Sequence, residues 1–320
     1  MRALQLLGPK QAEIVDLPTP TPSANQVLVR LEGCGLCGSN LPPWQGRPWF
    51  RYPFEPGAPG HEGWGRVAAL GPDARGVEIG DRVALLSERA FAEYDLAPAD
   101  AVVPLPEALA DQFVPGEALG CAINVFRRSD IRPGHAVAIV GLGFLGALLA
   151  QLAARVGARV LAISRRPCAL ELGLRMGASE AHSLTLSDDE LVERIEAATD
   201  GELCDRTIEA AGQQRTLDLA AKLTRTRGRL IVAGYHQDGP RQVDMQLWNW
   251  RGLDLINAHE RERSVYVAGI RAAVEAIAAG RLDPTALYTH AVGLNDASVA
   301  FSALDQRPAG FVKAQVLACG

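Results

Sequence analysis

Apolar residues fall into two regimes along this 320-residue chain. Up to about residue 125 they come in short β-branched runs broken by Gly and Pro: QVLVRLEGCG (26–35), EGWGRVAALG (62–71) and GDRVALL (80–86). Such runs, with turn residues between them, predict a β-rich domain. PTPTPSANQ (18–26) predicts a rigid, polar turn region. After RRSDIRPG the pattern changes, and apolar strands alternate with amphipathic helices. HAVAIVG (135–141) predicts a strand, and LGALLAQLAARVG (145–157) places Leu145, Leu148, Leu149, Leu152 and Val156 on one helical face. ARVLAIS and PCALELGLRMGA predict the next strand and helix; CDRTIEAAG, GRLIVAGY and LDLINA predict later strands. That alternation implies a parallel, doubly wound sheet.

From about Ser264 the chain holds one strong helix, VYVAGIRAAVEAIAAG (265–280), a proline-marked turn and a short strand, FVKAQVL (311–317). If that strand closes a sheet begun near the N-terminus, the middle of the chain is a domain inserted into a discontinuous first one. The expected division is 1–125 with 264–320 as the β-rich domain, and 126–263 as the α/β domain.

The stretch GLGFLG (Gly141, Gly143, Phe144, Leu145, Gly146) lies between a predicted strand and a predicted helix. In that setting G-x-G-x-x-G points to a dinucleotide. The first Gly makes the tight turn, the second lets backbone approach a pyrophosphate, and the third lets helix and strand pack closely. Cofactor choice rests on the end of the next strand. A carboxylate expected there would bond the ribose hydroxyls of NAD(H). Here Ser164 holds the position, followed by Arg165 and Arg166. A hydroxyl with two guanidinium groups suits a 2′-phosphate, so NADP(H) is favoured over NAD(H).

Composition adds exclusions. Hydrophobic residues make up 48% and charged residues 22%, with a net charge of −5 and no basic tract, which argues against nucleic acid or a membrane surface as partner. No stretch reaches the length of a membrane span, and the N-terminus lacks the pattern of a signal peptide. Six scattered cysteines do not make a disulfide scaffold, so a reducing cytoplasm is the expected setting.

Two of those cysteines stand as C-x-x-C in CGLCGSN (34–40). Alone, the spacing fits a redox pair, half of a zinc knuckle, or one ligand of a catalytic metal. Further on come His61 and Glu62 in GHEGWG, then Glu117 and Cys121 in GEALGCAINVF. Thiolate, imidazole and thiolate are ligands zinc accepts, and three protein ligands leave a coordination position open. With these motifs in this order, the chain resembles the medium-chain, zinc-dependent alcohol and polyol dehydrogenases. The likeness covers G-x-C-G-S at 35–39, GHE at 60–62, G-D-R-V at 80–83, E-x-L-x-C at 117–121, the glycine loop at 141–146 and the ending GFVKAQVL.

The resemblance implies a GroES-like β domain interrupted by a Rossmann domain, with the active site in the cleft between them. It implies one catalytic zinc on Cys37, His61 and Cys121. Glu62 would be a labile fourth ligand or a group behind the metal, and Glu117 a residue near it. Ser39 would be the first proton acceptor, and the subunits would form a homodimer or homotetramer. The chain departs from the family's pattern in three places. The stretch GDRVALLSERAFAEYDL contains no cysteine, so the lobe that binds a structural zinc is expected to be absent. Asn40 stands where an aspartate is usual, and Pro42 where a proton-passing histidine often stands.

The expected activity is hydride transfer between NADP(H) and an alcohol or carbonyl compound, with a polyol or sugar-like substrate in range. Two rivals share parts of the pattern: a zinc-free quinone or enoyl reductase of the same superfamily, and a non-catalytic nucleotide-binding protein. Trp44, Trp49 and Phe50 either line the substrate cleft or pack a loop. Trp248 and Trp250 are expected in the core or at a subunit contact, and His259 and Glu260 in a surface loop.

Overall fold

The structure is a computed structural model that describes residues 1–237 and 239–318. Its elements run β1 (Arg2–Gly8), β2 (Gln11–Asp16), β3 (Gln26–Gly35), α1 (Leu41–Gln45), β4 (Gly63–Leu70), β5 (Arg82–Leu85), β6 (Tyr94–Pro98), β7 (Val102–Pro104) and α2 (Gly116–Ser129). Next come β8 (Ala136–Val140), α3 (Phe144–Arg155), β9 (Arg159–Ser164), α4 (Pro167–Arg175), β10 (Glu180–Ser183), α5 (Asp188–Ala198), β11 (Cys204–Glu209), α6 (Gln214–Leu223) and β12 (Thr224–Val232). Last are α7 (Met245–Arg251), β13 (Asp254–Asn257), α8 (Arg263–Ala278), β14 (Tyr288–Gly293), α9 (Ala297–Gln306) and β15 (Lys313–Leu317). The chain forms two compact units, one of Met1–Cys121 with Arg261–Gly320, the other of Ala122–Glu260.

The first unit is built on a sheet ordered β14-β15-β3-β4-β5-β7, with β6 paired to the first half of β3. The final strand thus joins a strand from the beginning of the chain: Gln315 sits opposite Gly35, and Val316 opposite Cys34. Alternation decides which side chains face the core. Ala314 and Val316 enter the apolar cluster with Leu31, Cys34, Phe91 and Phe301, while Lys313 and Gln315 point to the opposite face. Trp44 belongs to this cluster. It is 3% exposed and lies 5.0 Å from the Phe301 ring, so of its two readings the structure selects packing. Trp49 is half exposed, with its ring 6.0 Å from that of Phe50.

The second unit is a six-stranded sheet ordered β10-β9-β8-β11-β12-β13 and parallel throughout. The central strands β8 and β9 are near-continuous apolar runs, as expected for parallel strands covered on both faces; β8 reads AVAIV, with Val137 to Val140 fully buried. Strand order reverses between β8 and β11, and ligands of open α/β sheets bind at the carboxyl ends of strands at such a point. The edge strand β13 carries exposed Leu255, and α7 before it carries Trp250, which is 87% exposed. Trp250 is therefore not a core residue. No helix among the described residues is long and apolar enough to cross a membrane.

Candidate active site

The turn that follows β3 brings Cys37 to the end of the sheet, and the turn before β4 brings His61 and Glu62 to the same place. Cys37, His61 and Glu62 each offer a ligand atom, and these atoms lie within 4.8 Å of one another. Glu62 is held there by Gly35: a Cβ at position 35 would sit 2.0 Å from Glu62 Oε2. Glycine at 35 is the space that the carboxylate fills.

His61 Nδ1 lies 2.9 Å from the Pro59 carbonyl oxygen, which can only accept, so this nitrogen carries the proton. Nε2 is left facing the cluster, 3.4 Å from Ser39 Oγ. Burial opposes a charge on His61, yet the Cys37 hydrogen bond and the charges of Cys37, Glu117 and Glu62 outweigh it and push the pKa up to about 10. A proton is thus drawn to the middle of a cluster of anionic donors, where a cation is the natural occupant.

Cys121 lies on α2, one turn after Glu117, and donates its thiol proton to Glu117 Oε1 at 3.1 Å. Burial first, and then the Glu117 charge, push this thiol well above its ordinary pKa. The Cys37 charge also acts on it. Of the residues expected to bind metal, then, the structure gathers Cys37, His61 and Glu62, and pairs Cys121 with Glu117. Burial likewise raises the pKa of Glu117. The donor types fit zinc: a sulfur, an imidazole nitrogen with its tautomer fixed and a carboxylate within 4.8 Å of one another, with the charge of Cys37 also felt at the Cys121 thiol.

Sequence reasoning missed Lys313. It is 3% exposed, and Nζ lies 2.7 Å from Glu62 Oε1 and 2.5 Å from Oε2. Burial opposes its charge, but Glu62 and then Cys37 prevail and raise its pKa. The signal was present in FVKAQVL, where one lysine interrupts an apolar strand. A buried charge of that kind needs a partner.

In the second unit, GLGFLG lies as expected between β8 and α3. Gly141 turns with φ of 109°, and a Cβ on Gly146 would lie 2.0 Å from the Gly141 carbonyl oxygen. A Cβ on Gly143 would meet nothing within 4 Å, which leaves the approach to the α3 N-terminus open. Phe144 and Leu145, half-buried, form its first turn. Ser164 ends β9 and is buried, with exposed Arg165 and half-buried Arg166 leading into α4. Beside β8, Glu209 ends β11 with no exposure and accepts from Ala211 N, Gly212 N, Thr216 Oγ1 and His236. His259 lies 3.0 Å, through Nε2, from the Gly234 carbonyl oxygen, so it is tied to the strand ends.

A family model described as an alcohol dehydrogenase GroES-like domain matches residues 23–107, and one described as a zinc-binding dehydrogenase matches residues 145–275. The chain belongs to the medium-chain, zinc-type dehydrogenase family. Sorbitol dehydrogenase of Bacillus subtilis (strain 168) is 25% identical over 90% of this chain and 89% of its own. A 2-dehydro-3-deoxy-L-galactonate 5-dehydrogenase of Pseudoalteromonas atlantica is 26% identical over 97% of each chain. Among solved structures, the alcohol dehydrogenase TADH from Thermus sp. ATN1 shares the fold at a TM-score of 0.85, with 24% identity and 99% of both chains covered. So does the NADP-bound structure of a zinc-binding dehydrogenase from Sinorhizobium meliloti 1021, at 0.86 and 24%, covering 99% of this chain and 98% of that one. The GroES-like β domain and the Rossmann-like parallel sheet are the two parts of the family's fold.

Proposed function

We propose that this chain is a zinc-dependent oxidoreductase that moves hydride between NADP(H) and an alcohol or carbonyl compound. One observation carries the proposal: a thiol, an imidazole presenting its free nitrogen, and a carboxylate converge on one point, beside a second thiol, in a family of zinc-type dehydrogenases. Cys37, His61 and Cys121 would hold the ion, with Glu62 as a further oxygen donor. When bound, zinc supplies a Lewis acid that acidifies a substrate hydroxyl, and nicotinamide supplies the hydride carrier.

The chain's own residues do the rest. The Pro59 carbonyl keeps the His61 proton on Nδ1. Lys313 balances Glu62, so the carboxylate can sit buried behind the ligands. Glu117 is the base that takes the Cys121 proton when that thiol becomes a ligand. Ser39, half-buried and 3.4 Å from His61 Nε2, receives the substrate proton. Pro42 cannot pass it on, so water carries the proton outward from Ser39.

Relatives that act on sorbitol and on a deoxygalactonate support a hydroxyl-rich substrate. Neighbours solved with NADP and with NADH share this fold, so cofactor choice falls to Ser164, Arg165 and Arg166, which favour the 2′-phosphate. The exposed Leu255 on edge strand β13, with exposed Trp250 on α7 before it, supports a homodimer or homotetramer. The test is turnover of NADPH or NADP on a panel of polyols and their ketoses. Cys37→Ser and His61→Ala should each abolish turnover while NADPH binding persists. Retained activity in either variant removes zinc catalysis and favours the zinc-free reductase.

A further inference from the structure

A carboxylate stands in the apolar interior of the first unit. Asp95 lies on β6 opposite Val29 of β3 and is 4% exposed. Val29 and Ala97, the latter two residues further along β6, both belong to the apolar cluster, so alternation turns Asp95 towards it as well. An acid is almost never buried in such a place without partners. Here the partners are backbone amides: Oδ1 accepts from Leu96 N at 2.8 Å, and Oδ2 from Arg89 N at 3.2 Å. Burial raises the pKa of Asp95, and the two amides oppose that rise.

Arg89 belongs to the short connection from β5 to β6, and this connection grips the turn in front of His61. Ala90 N donates to the Gly60 carbonyl at 2.9 Å, and Phe91 N to the Gly57 carbonyl at 3.1 Å. A Cβ on Gly57 would collide with the Arg89 carbonyl oxygen, and one on Gly60 with the Phe91 amide nitrogen. Backbone therefore packs directly on backbone. The Gly60 carbonyl is part of the peptide bond that leads into His61, and the carbonyl of the residue before it, Pro59, bonds His61 Nδ1. From the Asp95 carboxylate to the His61 peptide the path is thus Arg89 amide, Ala90 amide, Gly60 carbonyl.

We propose that Asp95 is a positioning residue for the metal centre, fixing the β5–β6 connection and, through it, the direction in which His61 presents Nε2. The proposal rests on the zinc reading above. Packing alone would ask for an apolar side chain at this position. Valine is close to aspartate in size, suits a strand and removes a buried charge. What valine cannot do is accept from Arg89 N, so the connection would lose the bond that fixes it against the Gly57–Gly60 turn. Asparagine keeps the shape, but its single oxygen cannot serve both amides, and its Nδ2 would face the other one donor to donor. In either variant the grip on the Gly60 carbonyl loosens, and His61 loses its fixed direction. Partners that orient a metal-bound histidine are typically worth about 10–100-fold in metal affinity. Asp95 acts through intervening peptides, so the lower end of that range applies.

The experiment loads the wild-type chain, Asp95→Val and Asp95→Asn with cobalt(II) in place of zinc and records the visible absorption of the metal, which reports the geometry of its ligands. Zinc affinity is measured alongside by competition with a chromophoric chelator. Ala97→Gly, on the same strand and face, is the control for a purely structural loss. Both Asp95 variants should shift the cobalt bands and hold zinc about tenfold more weakly. Ala97→Gly should lose stability in urea yet keep the wild-type bands and affinity. Wild-type bands and affinity in Asp95→Val overturn the proposal, and so does an equal change in Ala97→Gly. If alkylation of the buried thiol Cys34 shows that Asp95→Val opens the first unit, Asp95→Asn, which keeps the shape, decides by the same readings. A wild-type chain that takes up neither metal removes the zinc reading as well, whereas metal uptake with unaltered variants removes this proposal alone.

Discussion

Replacing Lys313 by Met isolates the buried pair behind the ligands. Methionine fills the stem and leaves Glu62, which has no exposure, without its cation. At 2.7 Å, Coulomb attraction is about 6 kcal/mol at an effective dielectric of about 20. Desolvation offsets part of it, and breaking such a pair typically costs about 3–5 kcal/mol. The first unit should therefore open several-hundred-fold more often, at about 1.4 kcal/mol per factor of ten.

Two cysteines read this without ambiguity about which unit opens. Cys34 is fully buried on β3, opposite Val316 of β15; Cys204 is fully buried on β11 of the other unit. In zinc-free protein, Lys313→Met should accelerate alkylation of Cys34 by about two to three orders of magnitude and leave Cys204 unchanged. Glu62→Gln added to Lys313→Met should restore most of the protection. A change in Cys34 below tenfold, or an equal change in Cys204, would refute the reasoning.

Further tests concern the second unit and the cofactor. Gly146→Ala should force α3 off the Gly141 carbonyl, lowering both stability and NADPH affinity. Gly143→Ala, with open space around it, should fold normally yet lose NADPH affinity; calorimetric titration beside urea denaturation separates the two. Burial opposes the charge of Glu209, but His236, Thr216 and two backbone amides hold its pKa below the usual carboxylate value. Its stabilising effect is therefore present above the unfolded-state value and lost as pH falls through the folded one. Glu209→Gln should cost about 1.5–3 kcal/mol at neutral pH, with the gap closing only as pH falls below the ordinary glutamate range, in urea denaturation followed by Cys204 exposure. Ser164→Asp with Arg165→Ala should shift preference towards NAD, read as the ratio of kcat/KM for the two cofactors; an unchanged ratio would misplace the ribose site.

Much of the fold was legible because each strand announces its own environment. The run AVAIV of β8 is apolar throughout and is buried on both faces, and the glycine loop that follows needs only local geometry. Trp44 and Trp49 were not separable in sequence. Both are indole rings in one aromatic stretch, yet Trp44 reaches Phe301, some 250 residues away, and Trp49 stays half exposed. The metal ligands were legible as types and order, not as partners. That the Cys121 thiol bonds to Glu117 follows from one helical turn, and that it keeps its proton follows from burial. That Asn40 reaches Pro59 depends on how two turns meet. Lys313 was visible as a charge in an apolar strand, but its partner lies 251 residues away in sequence.

The account stands on a cation at Cys37, His61 and Cys121, and metal analysis of the purified protein tests that most directly. It predicts about one zinc ion per chain, lost in Cys37→Ser with the fold retained. Less than about half a zinc per chain after gentle purification, or an undiminished content in Cys37→Ser, would contradict it.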